Sequence, residues 1–171
     1  MNKLKLHFVG DSVLRERAIP VVEINDDIRE TLSTMEKIML EERGAGLAAP
    51  QVGILLRMLV FLELDKKGNP SLIYKCINPK IISHSNNNVV MEEACLSIQG
   101  PNGPVFTNVE RPESVVIEWK DENGILQTKE FHGYASRAVQ HEIDHLDGVL
   151  FIDYLSSAKR EMVMRKVKKK K

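Results

Sequence analysis

The stretch GYASRAVQHEIDHLDG, residues 133–148, decides how this chain reads. It has no Pro, and no Gly between its ends, so Tyr134 to Leu146 is expected to be a helix closed by Gly148. Positions four apart share one face of a helix. His141 and His145 can therefore point at one divalent ion, with Glu142 beside it as a proton carrier. Two histidines do not complete a catalytic site, which usually has three protein ligands and an open position for water. No histidine follows His145, and the one downstream glutamate, Glu161, falls in an expected surface helix. The remaining candidates lie upstream. Among them Cys95, in EEACLSIQG (92–100), stands out, because a thiolate suits a soft or borderline cation and metal binding would deprotonate it.

The surroundings of that helix read as a mixture of helix and short strands. Asn25, Asp26 and Asp27 can cap a first helix whose apolar face is Ile28, Leu32, Met35 and Met39, with Arg43 and Gly44 as its last turn and stop. The Gly-rich GAGLAAPQVG (44–53) follows. It lacks the Lys-Ser/Thr of a phosphate loop and reads structurally as a helix stop and turn. Strands are expected at 58–64, 72–78, 80–83, 114–120 and 125–132, with DENG (121–124) as a hairpin turn and QGPNGP (99–104) as a loop. A last helix starts at Ser156. Helix, then strands, then helices implies an α+β fold with mixed or antiparallel β-sheets around a central HExxH helix, plus an N-terminal and a C-terminal helix. Cys76, in the apolar LIYKCIN (72–78), reads as a small packed hydrophobe. His7, His84 and His132 have no spaced partner and read as surface or packing residues.

Composition bounds the rest. At 171 residues the chain suits one domain. A 43% hydrophobic and 28% charged content argues against disorder. No apolar run approaches the ~20 residues of a membrane span, and the amino terminus lacks the pattern of a secretory signal. Two cysteines make no disulfide framework, so a reducing, cytoplasmic setting is expected. Six of the 24 basic residues fall in RKVKKKK (165–171), leaving 18 bases against 24 acids in residues 1–164. The division is thus a catalytic domain over 1–164 and a basic tail over 165–171. The mildly acidic body gives no case for DNA binding, and the tail only a weak case for nucleic acid.

Three segments, GAGLAAPQ (44–51), EACLS (93–97) and QHEIDH (140–145), together resemble the bacterial-type peptide deformylases, whose pattern is GxGxAAxQ, EGCxS and HExDH in that order. The resemblance extends from GDSVLRERA (10–18) through LDGVLFIDYL (146–155). It implies removal of the formyl group from the initiator methionine of new proteins. It implies Cys95, His141 and His145 as ligands of one Fe(II) per chain, a set that zinc, nickel or cobalt can also occupy. Glu142 maps onto the acid/base, Gln51 onto the side chain holding the developing oxyanion, and Gly46 and Leu96 onto backbone contacts with substrate. Ala45, Met91, Glu93, Tyr134 and Ala138 map onto the methionine pocket. Ala94 stands where the family has Gly. Its carbonyl can still accept a hydrogen bond, and it would be strained only if the backbone there needs a positive φ. Gln99 and the following GPNGP are expected to border the cleft. A nascent peptide is expected to add as a strand beside Gly44–Gly46, so that a β-branched residue at 46 raises KM. The basic tail reads first as a frayed, solvated terminus, and in a second reading it holds the enzyme at the ribosomal exit through RNA phosphates. Two other readings use the same helix: a zinc endopeptidase, which leaves Cys95 without a role, and a catalytically silent metal-binding relative, which needs neither Glu142 nor Gln51.

Overall fold

The computed structural model describes residues 4–168. The first helix, α1 (Asp26–Glu41), begins where the Asn25 side chain accepts a hydrogen bond from the Ile28 amide at 3.1 Å. Leu32, Met35 and Met39 form its fully buried face. Its stop differs from the sequence reading. Arg43, not Gly44, takes the left-handed backbone (φ 55°), and the amides of Arg43 and Gly44 bond back to the carbonyls of Leu40 and Met39. Gly44 answers to another constraint: a Cβ there would lie 2.8 Å from Leu96 Cδ1.

The Gly-rich segment, read from sequence as a turn, forms strand β1 (Gly46–Ala48) and one turn of 3₁₀-helix over Ala49–Val52. Strand β2 (Met58–Leu64) pairs with it and with β3 (Pro70–His84). The two strands expected at 72–78 and 80–83 are one strand of 15 residues. Pro79 has no N–H to give a ladder, so the strand passes it with a register shift instead of ending. Asn78 there has φ 54°, and its side-chain amide bonds both the N–H and the C=O of Val21 at 2.8 Å.

The middle of the chain holds β4 (Asn88–Glu93), then β5 (Gln99–Gly100) and β6 (Gly103–Pro104), then β7 (Thr107–Pro112). β4 pairs with β7, and β5 with β6 as a short hairpin inside the expected loop. β8 (Ser114–Lys120) and β9 (Leu126–His132) close the strand set, as expected, around the Asp121–Gly124 turn. Helix α2 (Gly133–Leu146) and helix α3 (Ser157–Lys168) follow. The Ser156 hydroxyl accepts from the Lys159 amide at 3.5 Å. Residues 165–168 of the tail continue α3, and Val167 packs partly against the core, while Lys169, Lys170 and Lys171 lie outside the described residues.

The main sheet has the order β1-β2-β3-β8-β9, antiparallel throughout. Its faces are covered by different helices. Leu59 and Phe61 of β2 point to the side where Val139, Ile143 and Leu146 of α2 pack. Met58, Val60 and Leu62 point to the side of Leu32, Met35 and Met39. Alternating residues with both faces buried make the unbroken apolar run MLVFL (58–62). A third cluster joins Cys95, Ile98 and Val109 to Leu150, Phe151 and Val163 on the other side of α2. α2 is therefore the central element, apolar toward the sheet and polar toward that third layer.

Phe61 is fully buried, stacked on Tyr74 at 4.9 Å and edge-on to Phe131 at 5.1 Å. Phe61→Ala should remove about 3–5 kcal/mol of stability, read as a lower midpoint in a urea titration.

Candidate metal centre and its cleft

The polar face of α2 carries His141, Glu142 and His145, each less than a tenth exposed. Opposite them, the turn after β4 brings in Cys95. One donor atom from each of Cys95, His141 and His145 lies within 4.8 Å of the others, and no second trio of such donors comes together among the described residues. The Cys95 sulfur stands 3.2 Å from His145 Nε2.

Charges behind the cluster orient its ligands. Glu93 Oε2 accepts from His141 Nδ1 at 3.0 Å. An ionised carboxylate only accepts, so Nδ1 carries the hydrogen and Nε2 keeps its lone pair for the cluster. Glu93 is fixed in turn by Arg111, whose Nε and Nη2 donate to its two oxygens at 2.6 and 3.1 Å, and by Arg137 Nη1 at 2.8 Å. Arg111 also reaches Asp144 Oδ2 at 2.7 Å. Burial works against an ionised Glu93, but His141 and Arg111 outweigh it and hold the carboxyl well below the usual carboxylate range. Burial holds His145 well below the ordinary imidazole range, with His141 adding to the effect, so it stands neutral, the form that ligates a cation.

Glu142 is different. Burial pushes its carboxyl up to about 7, against the pull of His141. A cation beside it would draw that value down. Its Oε2 and the Nδ1 of His145 are buried with no hydrogen-bond partner among the described residues. A buried carboxylate oxygen without a partner, next to a Cys-His-His donor set, is what a divalent-cation site with a proton acceptor at its side requires.

Gln51 is buried on the other flank. The Ala48 amide donates to its Oε1 at 2.8 Å, which turns its amide nitrogen toward Ser97 Oγ (3.2 Å) and Cys95 Sγ (3.5 Å). Gly46 lies under Glu142: a Cβ at 46 would stand 2.6 Å from both Cγ and Oε1 of the glutamate. Ala94 needs no left-handed backbone. Arg43 and Asn78 are the non-glycine residues with positive φ among those described, so the Gly-to-Ala departure brings no strain.

A cleft opens onto this cluster. Of the residues mapped from sequence, it is lined by Ala45, Gly46, Gln51, Glu93, Ala94, Cys95, Leu96, Tyr134, Ala138, His141 and Glu142. His145 and Met91 are not among the lining residues, although Met91 shares a face of β4 with Glu93, two residues on. The Glu93 carboxylate is spent on His141 and two guanidinium groups. Pro104 brings the 99–104 segment to the cleft, as expected. Sequence reasoning missed Phe106, Arg111 and Arg137. The arginines lie in no motif of spaced ligands, although two arginines aimed at one buried acid could have been sought as its counter-charges.

Antiparallel sheet, buried helix, Cys-His-His donors and an unpartnered glutamate together define a metallohydrolase of the α+β class. The family model of the polypeptide deformylases matches residues 3–161. A peptide deformylase of Endomicrobium trichonymphae is 46% identical over 171 residues, 100% of this chain and 97% of that relative. One from Rhizobium meliloti is 43% identical over 164 residues, 96% and 91% of the two chains. Among solved structures, a peptide deformylase from Legionella pneumophila superposes with a TM-score of 0.87 at 35% identity, over 97% of this chain and 94% of that one. One from Synechococcus elongatus, in complex with actinonin, gives 0.86 at 39% identity over 99% and 89%. The chain belongs to the peptide deformylase family, enzymes that hydrolyse the N-formyl group from nascent peptides.

The close approach at Gly46 changes one expectation. Gly46→Ala forces the Glu142 side chain to move, so kcat should fall about 100-fold, the scale of a misplacement near 1 Å, with a smaller change in KM. Steady-state kinetics on a formylated peptide separate this from the KM effect that the sequence alone suggests.

Proposed function

We propose that this chain removes the formyl group from the initiator methionine of newly synthesised proteins, using one Fe(II) held by Cys95, His141 and His145. The observation that carries the proposal is the unpartnered Oε2 of Glu142 beside that donor set. A thiolate with two imidazoles suits Fe(II), and Zn, Ni or Co could occupy the same ligands. When bound, such a cation supplies a water of lowered pKa and polarises the formyl oxygen.

The chain's own residues do the rest. Glu142 takes a proton from the attacking water at Oε2 and delivers it to the leaving amine. Negative charge then grows on the formyl oxygen. The Gln51 amide, held by the Ala48 N–H at its other end, and the Leu96 backbone N–H stabilise it, each worth roughly 3 kcal/mol in comparable sites. The peptide lies along β1, an edge strand of the main sheet, with its backbone against Gly46. Ala45, Tyr134 and Ala138 offer the apolar wall for the methionine side chain.

Residues 1–164 form the catalytic domain in this proposal, and the basic residues of 165–171 extend it toward the ribosome. The setting is the cytoplasm, where formylated chains emerge. No helix among the described residues is long and apolar enough to cross a membrane.

The decisive experiment is formate release from a formyl-methionyl peptide by Fe(II)-loaded protein prepared without oxygen. Catalytic formate with the peptide bond intact supports deformylation, whereas peptide cleavage would support an endopeptidase. Glu142→Ala should keep its metal and lose turnover by about 100-fold or more. Loss of metal in that variant would mean Glu142 is a ligand instead. For the tail, deleting 165–171 should weaken ribosome co-sedimentation, with binding that falls steeply with salt. Undiminished co-sedimentation would rule out the tail as the anchor.

A further inference from the structure

Arg137 belongs to none of the three motifs. It stands on α2 one turn before His141, is 5% exposed, and lines the cleft. Its Nη1 donates to Glu93 Oε1 at 2.8 Å and to the Val109 carbonyl at 2.9 Å. Its Nη2 donates to the Val89 carbonyl at 2.8 Å. One guanidinium thus ties α2 to both strands of the β4–β7 pair.

Arg111 and Arg137 share Glu93 but divide the work. Arg111 gives Glu93 two bonds and spends the rest of its head on Asp144. Arg137 gives Glu93 one bond and spends the others on strand carbonyls 20 residues apart in sequence. Holding Glu93 against His141 is covered by Arg111. Arg111–Asp144 and Gln140–Pro112 also link α2 to β7, but Arg137 bonds the backbone carbonyls of both strands at once, and so bears directly on the spacing between the helix and the strand pair. Residues 134, 137, 138 and 141 fall on one face of α2, so Tyr134, Arg137 and Ala138 form one wall of the cleft. With its head anchored among the strands, the alkyl stem of Arg137 is the part left to face that wall.

We infer that Arg137 is a specificity-determining positioning residue: its three-point clamp sets the width of the pocket that takes the methionine side chain, and its stem supplies part of the wall. The inference rests on the deformylase reading above. An unbranched thioether enters a narrow slot that a ring cannot. Releasing the clamp takes one bond from each of the Val89 and Val109 carbonyls and frees β4 to move relative to α2.

The test uses metal-loaded wild type, Arg137→Met and Arg137→Lys, with Arg111→Met as contrast. Peptides carrying formyl-Met and formyl-Phe are compared, and metal content and thermal melting are measured on the same samples. Arg137→Met should retain its metal. Its KM for the formyl-Met peptide should rise about 10-fold, more than kcat falls, and the Met-over-Phe ratio of kcat/KM should shrink about 10-fold. Arg137→Lys should recover part of that ratio. Arg111→Met should instead lose metal or kcat.

A folded, metal-loaded Arg137→Met with the wild-type Met-over-Phe ratio overturns the inference. So does a loss of metal and kcat at an unchanged ratio, which would mean that Arg137 acts through Glu93. Failure of both Arg137 variants to fold overturns it too, since the residue would then serve the fold rather than the pocket. Wild type that releases no formate from either peptide refutes the deformylase reading itself, and this inference with it.

Discussion

A single buried carboxylate, Glu93, joins the two halves of this molecule. It projects from the end of β4 and meets Arg111 from β7, and Arg137 and His141 from α2. Taking a carboxylate out of water costs several kcal/mol, and only good geometry with satisfied partners returns it. Here both oxygens are engaged, and Asp144 balances the second guanidinium. Two acids and two arginines leave no uncompensated charge behind the ligands. The arrangement follows from the fold, because β4 and β7 are paired and α2 crosses behind them. It also aims the site, since the hydrogen bond to His141 Nδ1 leaves Nε2 for the cluster.

A second constraint is steric. Glu142 lies so close over Gly46, and Leu96 over Gly44, that neither glycine leaves room for a Cβ. Neither glycine has a positive φ, so the need is for space and not for backbone freedom. The edge strand of the sheet can then sit directly beneath the Glu142 side chain. Glu142 keeps one oxygen without a protein partner, which leaves it able to handle a proton. Burial of the kind that raises its proton affinity is common where side chains act as acids and bases, and the geometry gives it that meaning here.

Helix α2 shows how fold and site share residues. Val139, Ile143 and Leu146 pack on the sheet while Arg137, His141, Glu142 and His145 are buried on other faces. No side of this helix is given over to solvent, so apart from Glu142 Oε2 and His145 Nδ1 its buried polar groups are satisfied by other protein groups. Gln140 donates to the Pro112 carbonyl and to Ser136. The same demand at Arg137 ties the helix to β4 and β7.

The sequence alone determined α1, α2, β2, β8 and β9, because period-3.6 and period-2 apolar patterns, caps and turns are local properties. It also named the ligands and Glu142 through residues spaced within one helix and one short motif. It did not reveal β1, β4 or β7, nor that the strand pieces at 72–78 and 80–83 are one. Those strands are short, charged or interrupted by Gly and Pro, and each is held by its partner instead of by its own propensity. Only the tertiary structure decided that Gly46 clears space for Glu142 and that Arg111 and Arg137 converge on Glu93. Contacts between residues tens of positions apart leave no period or spacing in the chain. Their energies arise only once burial has removed water from around the charges.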